Sequence, residues 1–104
     1  MTDVLENAME AHAQEAANLM KELSSSSRLM ILCALADSEL SVNELNEKIS
    51  LSQSALSQHL ARLRHAGLVS TRKDKQTVFY RLAGTAVIDV INVLRTIYCP
   101  GADD

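Results

Sequence analysis

The 104-residue chain has few of the residues that interrupt regular structure, with one proline and three glycines. Its composition, 47% hydrophobic and 22% charged, is typical of an ordered soluble protein and excludes a disordered tail. The length predicts a single domain, residues 1–104, with little core to spare. We expect a mainly helical fold.

Long apolar runs are also missing. No stretch approaches the roughly 18–20 residues that span a bilayer. The N-terminal sequence MTDVLENAMEAHAQEA lacks the basic and then apolar segments of a signal peptide. These absences predict a cytoplasmic protein with no membrane partner.

Sequence motifs of catalysis, of zinc ribbons and of disulfide-stabilised folds are absent as well. The two cysteines, Cys33 and Cys99, form no CxxC pair, which argues against a zinc ribbon and a disulfide-stapled secreted fold. No Ser-His-Asp grouping, phosphate loop or paired buried carboxylates can be recognised. We therefore predict no enzyme activity, no catalytic residues and no cofactor. An enzyme or a protein-interaction module stays as a weak alternative.

The charge is unevenly distributed. Residues 1–50 carry nine acidic and three basic side chains, a net of −6, and residues 83–104 have a net of −2. Residues 51–82 carry six basic side chains against the single acid Asp74, a net of +5. Because attraction to a polyanion depends on the local field, this segregation is compatible with a nucleic-acid-binding face despite the total of −3. A merely solvated basic surface is the alternative.

Hydrophobic periodicity predicts two helices in the first third of the chain. The first helix runs from Val4 to Leu23, with apolar residues at helical spacing. They are Leu5, Met9, Ala16, Met20 and Leu23. A serine run, 24–27, then forms a short turn and caps a nearly apolar second helix, Arg28 to Ala36.

Capping signals predict a helix-turn-helix over residues 41–66. Ser41-Val42-Asn43-Glu44 matches the S-x-x-E capping box and starts a short third helix that ends near Ile49. Ser52 is the expected N-cap of a fourth helix ending near Ala66, with Gly67 as its C′ residue.

A hairpin and a final helix complete the predicted fold. The stretches LVSTRK and QTVFYRL predict an antiparallel hairpin, residues 68–82, with a loose tip at Asp74-Lys75. The last helix, Thr85 to Tyr98, is stopped by Pro100-Gly101.

The last helix has more apolar surface than a small core can bury. Its polar residues form one narrow stripe: Asp89, Asn92, Thr96 and the neighbouring Arg95. The surplus predicts a two-fold homodimer built by the first and last helices. A fully buried central helix is the alternative.

The fourth helix has two distinct faces. Leu56, Leu60 and Leu63 form an inward stripe, and the opposite face is small, polar and mostly uncharged before it becomes basic. Such a face suits entry into the major groove, because it offers donors and acceptors to base edges and cations to phosphates. An ordinary solvated face is the alternative. The candidate DNA-binding residues are Gln53, Ser54, Ser57, Gln58, Arg62 and Arg64, followed by Arg72, Lys73 and Lys75 in the hairpin.

The stretch LSQSALSQHLARLRHAGLVSTRKDKQTVFYRL resembles the DNA-binding core of the ArsR/SmtB bacterial repressors, with its S-x-x-S-x-H-L-x-x-L-x-x-A-G-L-V pattern, basic wing and YRL. The likeness covers almost the whole chain. It implies a homodimeric winged helix-turn-helix regulator that binds double-stranded operator DNA. Its elements would be four helices, a two-stranded wing and a fifth helix, with the first and last helices at the dimer interface. His59 lies in the family's SQHL motif and is a packing or DNA-approach residue.

The metal ligands of that family are missing from this sequence. The third helix reads Val42-Asn43-Glu44-Leu45 where thiolate sensors have Cys-x-Cys, and the last helix offers Asp89 but no histidine. We therefore predict no metal site.

The cysteines match another branch of the family. Cys33 in RLMILC and Cys99 in IYC resemble the paired thiols of the BigR, SqrR, YgaV and HlyU-like regulators. This resemblance implies a dithiol switch in which reactive sulfur or oxygen species join the thiols and weaken operator binding, in a repressor or an anti-repressor. The alternatives are a buried, inert Cys33 and a regulator without thiol sensing.

Overall fold

The computed structural model describes residues 2–99, with side chains described from Glu6 onward. The predicted roles of the Leu5 side chain and of Pro100-Gly101 lie outside the described residues. Within that range the elements in chain order are α1 Thr2–Leu23, α2 Ser26–Asp37, β1 Leu40–Ser41, α3 Val42–Lys48, α4 Gln53–His65, β2 Val69–Asp74, β3 Thr77–Leu82 and α5 Thr85–Tyr98.

The predicted fold class is confirmed: a mainly helical protein in which α3 and α4 are followed by an antiparallel hairpin. The structure adds one strand that was not predicted. Leu40 pairs with Tyr80 and Ser41 with Phe79, so β1 joins the hairpin and the strand order is β1-β3-β2. A two-residue strand has no period to detect, and its partner lies about 40 residues further along the chain.

The hairpin tip differs from the prediction. The register runs without a gap from Val69 opposite Leu82 to Asp74 opposite Thr77. The turn therefore consists of Lys75-Gln76, and a loose tip at Asp74-Lys75 was wrong. Lys75 has a φ of +58°, the positive value that two-residue hairpin turns require at their first central position.

Helix caps follow the predicted signals closely. The Ser41 hydroxyl accepts from Glu44 N at 3.2 Å while the Glu44 carboxylate accepts from Ser41 N at 2.9 Å, which completes the capping box. Ser52 accepts from Ala55 N at 3.1 Å at the start of α4. Gly67 follows α4 with a φ of +79°, as expected of a C′ glycine.

One hydrophobic core joins α2, α3, α4 and α5. Its fully buried members are Ile31, Leu32, Leu45, Leu56, Leu60, Leu63, Val87 and Ile91. Within the described part of the chain, no helix is both long and apolar enough to cross a membrane.

The outer side of α5 is apolar and uncovered in the single chain. Val93, Ile97 and Tyr98 are 57%, 60% and 76% exposed. On α1, Met9 and Met20 are exposed as well. The predicted surplus of apolar surface is therefore present, and a fully buried α5 was wrong.

Candidate nucleic-acid interface

The turn between α3 and α4 is fixed by a side chain. Asn46 Nδ2 donates to Leu51 O at 2.9 Å across the connection. With the Ser52 cap immediately after it, this bond sets the direction in which α4 leaves the turn. The orientation of α4 is therefore determined by local hydrogen bonds as well as by its leucines.

The two faces of α4 are separated as the sequence indicates. Leu56, Leu60 and Leu63 are completely buried, whereas most of the intervening residues are exposed. The outward polar residues Gln53, Ser54, Ser57 and Gln58 are exposed, and His59 is half-buried beside them. We call Gln53, Ser54, Ser57 and Gln58 the polar ridge.

Arg62, at the end of α4, is held by an acid from α1. Its Nε lies 2.7 Å from Glu22 Oε1 and its Nη2 lies 3.3 Å from Glu22 Oε2. The Arg62 hydrogen bond is the main reason that the pKa of Glu22 is lowered, against the opposing effect of burial. The same bond raises the pKa of Arg62. Arg28 lies 3.8 Å from the same carboxylate and donates to Glu22 O at 2.7 Å, closing the end of α1.

Arg72, in the hairpin, also has a carboxylate partner. Its Nε lies 2.6 Å from Glu39 Oε1, and its guanidinium lies 4.7 Å from the centre of the Phe79 ring. A more distant contact of 4.0 Å joins it to Asp74. Arg72 thus ties the hairpin to the segment before β1.

Four cations of the basic segment have no ion pair with any described residue. They are Arg64, Lys73, Lys75 and Arg81, all exposed, and Arg81 Nε donates to Ser70 Oγ at 3.2 Å. Sequence reasoning treated all the basic side chains alike, because a pairing between residues 40 apart, such as Glu22 and Arg62, leaves no local signal.

An open cleft of about 510 Å³ adjoins the polar ridge. It is lined by Ser57, Ala61, Arg64, His65 and Tyr80. Tyr80 was not among the predicted site residues, because its place in a YRL stretch indicates only a strand. The register of β3 brings it to the outer side of α4.

The two cysteines lie around one ion pair between α2 and α5. Cys33, on α2, is half-buried and Cys99, directly after α5, is exposed; both are free thiols. Arg95 Nη1 donates to Asp37 Oδ1 at 3.0 Å. Burial raises the pKa of the Cys33 thiol, Arg95 opposes that shift, and Cys99 and Asp37 add to it. The four groups therefore share one electrostatic environment.

Metal ligands do not converge within residues 2–99. No three side chains among the described His, Cys, Asp and Glu residues form a group that could hold an ion.

Comparison with known proteins decides the family. Residues 25–71 match the model described as "Bacterial regulatory protein, arsR family". The "Transcriptional activator HlyU" of Vibrio cholerae is 54% identical over 91 residues, which cover 88% of this chain and 84% of that protein. The chain belongs to the ArsR family.

Solved structures of similar proteins have the same fold. Reduced HlyU from Vibrio cholerae matches with a TM-score of 0.85 and 53% identity, covering 88% of this chain and 97% of that one. The transcriptional repressor BigR from Xylella fastidiosa matches with a TM-score of 0.82 and 44% identity, covering 90% and 96%. A winged helix-turn-helix DNA-binding domain from Mycobacterium bovis, described as homodimeric, matches with a TM-score of 0.76 and 27% identity, covering 86% and 82%.

These comparisons confirm the family resemblance and the winged helix-turn-helix fold. The ArsR-family relatives are transcription regulators, one described as an activator and another as a repressor, and not enzymes. Regulation of transcription through DNA binding is therefore the supported activity class.

Proposed function

We propose that this ArsR-family chain is a dimeric, sequence-specific DNA-binding regulator whose operator affinity is switched by oxidation or persulfidation of Cys33 and Cys99. The observation that carries the proposal is the placement of both thiols around the Arg95–Asp37 pair, which joins α2 to α5. The inducer would be a reactive sulfur or oxygen species.

The polar ridge supplies the base-reading groups in this proposal. Its amides and hydroxyls are exposed, uncharged, and carried on a helix whose leucines fix its orientation. Residues 41–66 form the reading unit and residues 68–82 the wing, where Lys73 and Lys75 contact phosphates. His59, half-buried beside the ridge, would serve in packing or in the approach to DNA. Arg62 and Arg72 have carboxylate partners, so each would have to exchange a protein acid for a DNA phosphate to bind the backbone.

The dimer is supported by the uncovered apolar side of α5 together with the homodimeric state described for the Mycobacterium bovis domain. A two-fold axis through α5 would place two α4 helices for two half-sites. It would also bury Val93, Ile97 and Tyr98, which are costly to leave in water.

The switch needs an oxidant that accepts two electrons. With hydrogen peroxide, the two thiols form an S–S bond and lose two protons, and peroxide becomes water. With a low-molecular-weight persulfide, the Cys99 thiolate takes the outer sulfur and the corresponding thiol leaves. Cys33 then attacks the Cys99 sulfur and releases hydrosulfide. If a second persulfide first transfers its outer sulfur to the Cys99 persulfide and releases its own thiol, attack by Cys33 on the middle sulfur releases hydrosulfide and leaves a trisulfide bridge.

A bridge of either kind would act on the reading helices through α2. This helix packs against α5 and also against α3 and α4. Pulling α2 toward the end of α5 would change the angle of α4 relative to its copy in the dimer, and hence the half-site spacing that the protein accepts.

The experiment pairs mass with affinity. Protein is treated with peroxide or a persulfide, its intact mass is measured, and each product is titrated with an operator selected from a random duplex pool. We expect loss of two hydrogens or gain of sulfur, together with weaker binding, and Cys33→Ser and Cys99→Ser variants that bind but ignore both reagents. Unchanged affinity in a fully bridged product would reject the switch.

A regulator without thiol sensing is the second candidate. The half-buried position of Cys33 and the raised pKa of its thiol favour it, since a buried cysteine often serves as a small apolar side chain. In that case both reagents would modify Cys99 alone and leave operator affinity unchanged.

A further inference from the structure

The cleft beside the polar ridge lies between the outer face of α4 and strand β3. Ser57, Ala61 and Arg64 follow one another at helical spacing along α4, so their side chains share one face. Tyr80 forms the opposite wall, where its ring packs against the core and its neighbours in the sheet are Leu40 and Thr71. The cleft therefore has walls that the fold itself fixes.

The chemistry of the lining is that of an anion site. None of the described residues that line the cleft is acidic, and Arg64, Ser57, His65 and Tyr80 can each donate hydrogen bonds. Arg64 has no ion pair among the described residues, in contrast to Arg62 and Arg72, which carboxylates occupy. An exposed guanidinium without an acidic side chain in the lining, next to three further hydrogen-bond donors, suits a phosphate.

We propose that this cleft seats a backbone phosphate of the bound duplex, with Arg64 as the cation and Ser57, His65 and Tyr80 as supporting donors. The inference rests on the proposed DNA binding and deepens it. Ala61 leaves room for the phosphate because its side chain is a single methyl group. Since Ser57 belongs to both the cleft and the polar ridge, a phosphate held here fixes the depth and register at which α4 meets the bases.

The first test uses the salt dependence of binding. Arg64→Gln and the control Lys21→Gln, which removes an equal charge from α1, are compared with wild type on the selected operator and on an unrelated duplex, under reducing conditions. We expect Arg64→Gln to weaken both complexes by the same factor and to lower the slope of log K against log salt by roughly 0.9 for each cleft engaged. Lys21→Gln should keep the wild-type slope. An unchanged slope for Arg64→Gln, or a loss confined to the operator, would overturn the inference.

The second test locates the phosphate. Single neutral methylphosphonates are placed at successive positions of one operator half-site and titrated with wild type and Arg64→Gln. At one position, the neutral methylphosphonate should weaken operator binding by wild type. At the same position it should cause no further loss of affinity for Arg64→Gln. Tyr80→Phe, which keeps the ring and its packing, should weaken binding roughly two- to tenfold on native DNA and have no effect at that neutralised position. A scan in which every position weakens both proteins equally would overturn the assignment.

Two further outcomes separate the possible failures. Wild type that binds no duplex at low salt would overturn the proposed function, and this inference with it. Wild type that binds normally, together with an Arg64→Gln variant of equal affinity and equal thermal stability, would overturn this inference alone. Tight, saturable binding of inorganic phosphate to the Arg64 side chain, seen by NMR, with a flat methylphosphonate scan, would assign the cleft to a free anion instead.

Discussion

Glu22 and Arg62 join the end of α1 to the end of α4 through two hydrogen bonds, 2.7 and 3.3 Å long. Arg28 reaches the same carboxylate from α2, so three helices meet at one acid. In the proposed dimer α1 belongs to the interface and α4 reads DNA. Glu22 is thus a direct polar link between the two regions.

Removing the charge of Glu22 should destabilise the protein slightly and only above acidic pH. Because Arg62 lowers the pKa of Glu22 in the folded state, the pair stabilises the fold above the ordinary glutamate value of about 4.3. That contribution is lost as the pH falls through the lowered folded-state pKa. Thermal melts of Glu22→Gln against wild type should differ at pH 7 and converge in acid. Glu15→Gln, on the exposed side of α1, should melt like wild type at both values.

The wing and the polar ridge should respond differently to mutation. Gln58→Glu places a negative charge where base edges are read, so specific binding should be abolished. Lys75→Ala removes a cation at the hairpin tip and should weaken binding to all sequences while reducing the salt slope by about one. Operator and non-operator titrations at several salt concentrations measure both effects. A change of preferred operator caused by Lys75→Ala would contradict the assignment of the wing.

The leucine stripe should dominate the stability of the reading unit. Leu60 is completely buried, and its truncation to alanine should lower the free energy of unfolding by roughly 2–5 kcal/mol. Leu60→Met nearly conserves volume and should cost less than about 1.5 kcal/mol. Urea denaturation of the two variants provides the comparison. Equal losses of unfolding free energy in Leu60→Ala and Leu60→Met would mean that the Leu60 side chain is not closely packed.

Local chemistry explains how much of this structure the sequence could predict. The caps at Ser41 and Ser52, the end of α4 at Gly67 and the burial of its leucines depend on neighbours within a few residues, and all were predicted. The two residues of β1 and the pairing of Glu22 with Arg62 depend on contacts about 40 residues apart in the chain. Nothing in the local pattern specifies which of several acids meets which arginine.

The cleft was missed for a related reason. Sequence spacing placed Ser57 and Arg64 on the outer face of α4, but the opposite wall comes from Tyr80, whose position depends on the pairing of β3. The hairpin tip was misplaced by one residue because aspartate is common in turns, and only the register shows that Asp74 pairs with Thr77 and lies in the strand.

The apolar side of α5 should control association. Ile97→Glu introduces a charge into the surface that we propose the two subunits share, while Ile97 itself is 60% exposed in the single chain. The variant should therefore fold normally and sediment as a monomer. Its operator binding should be weaker, because the two α4 helices that contact the two half-sites are no longer held together. Asn92→Glu, on the polar stripe, is the matched control and should remain dimeric. Monomeric wild type at micromolar concentration would refute the dimer.

The two thiols should react at very different rates. Cys99 is exposed, whereas burial keeps the pKa of Cys33 above that of a free thiol, so less of it is thiolate at neutral pH. Iodoacetamide should therefore alkylate Cys99 first. In Cys99→Ser, the alkylation rate at Cys33 should rise with pH, with a midpoint above the ordinary value of about 8.5.

Arg95 opposes the upward shift of the Cys33 pKa and pairs with Asp37, so Arg95→Gln removes a cation and leaves an unpaired acid nearby. Both effects disfavour the thiolate, and the midpoint should move higher still. A Cys33 that reacts as fast as Cys99 would mean that burial does not hold its pKa above the ordinary value. A midpoint that falls in Arg95→Gln would mean that Arg95 does not oppose that shift.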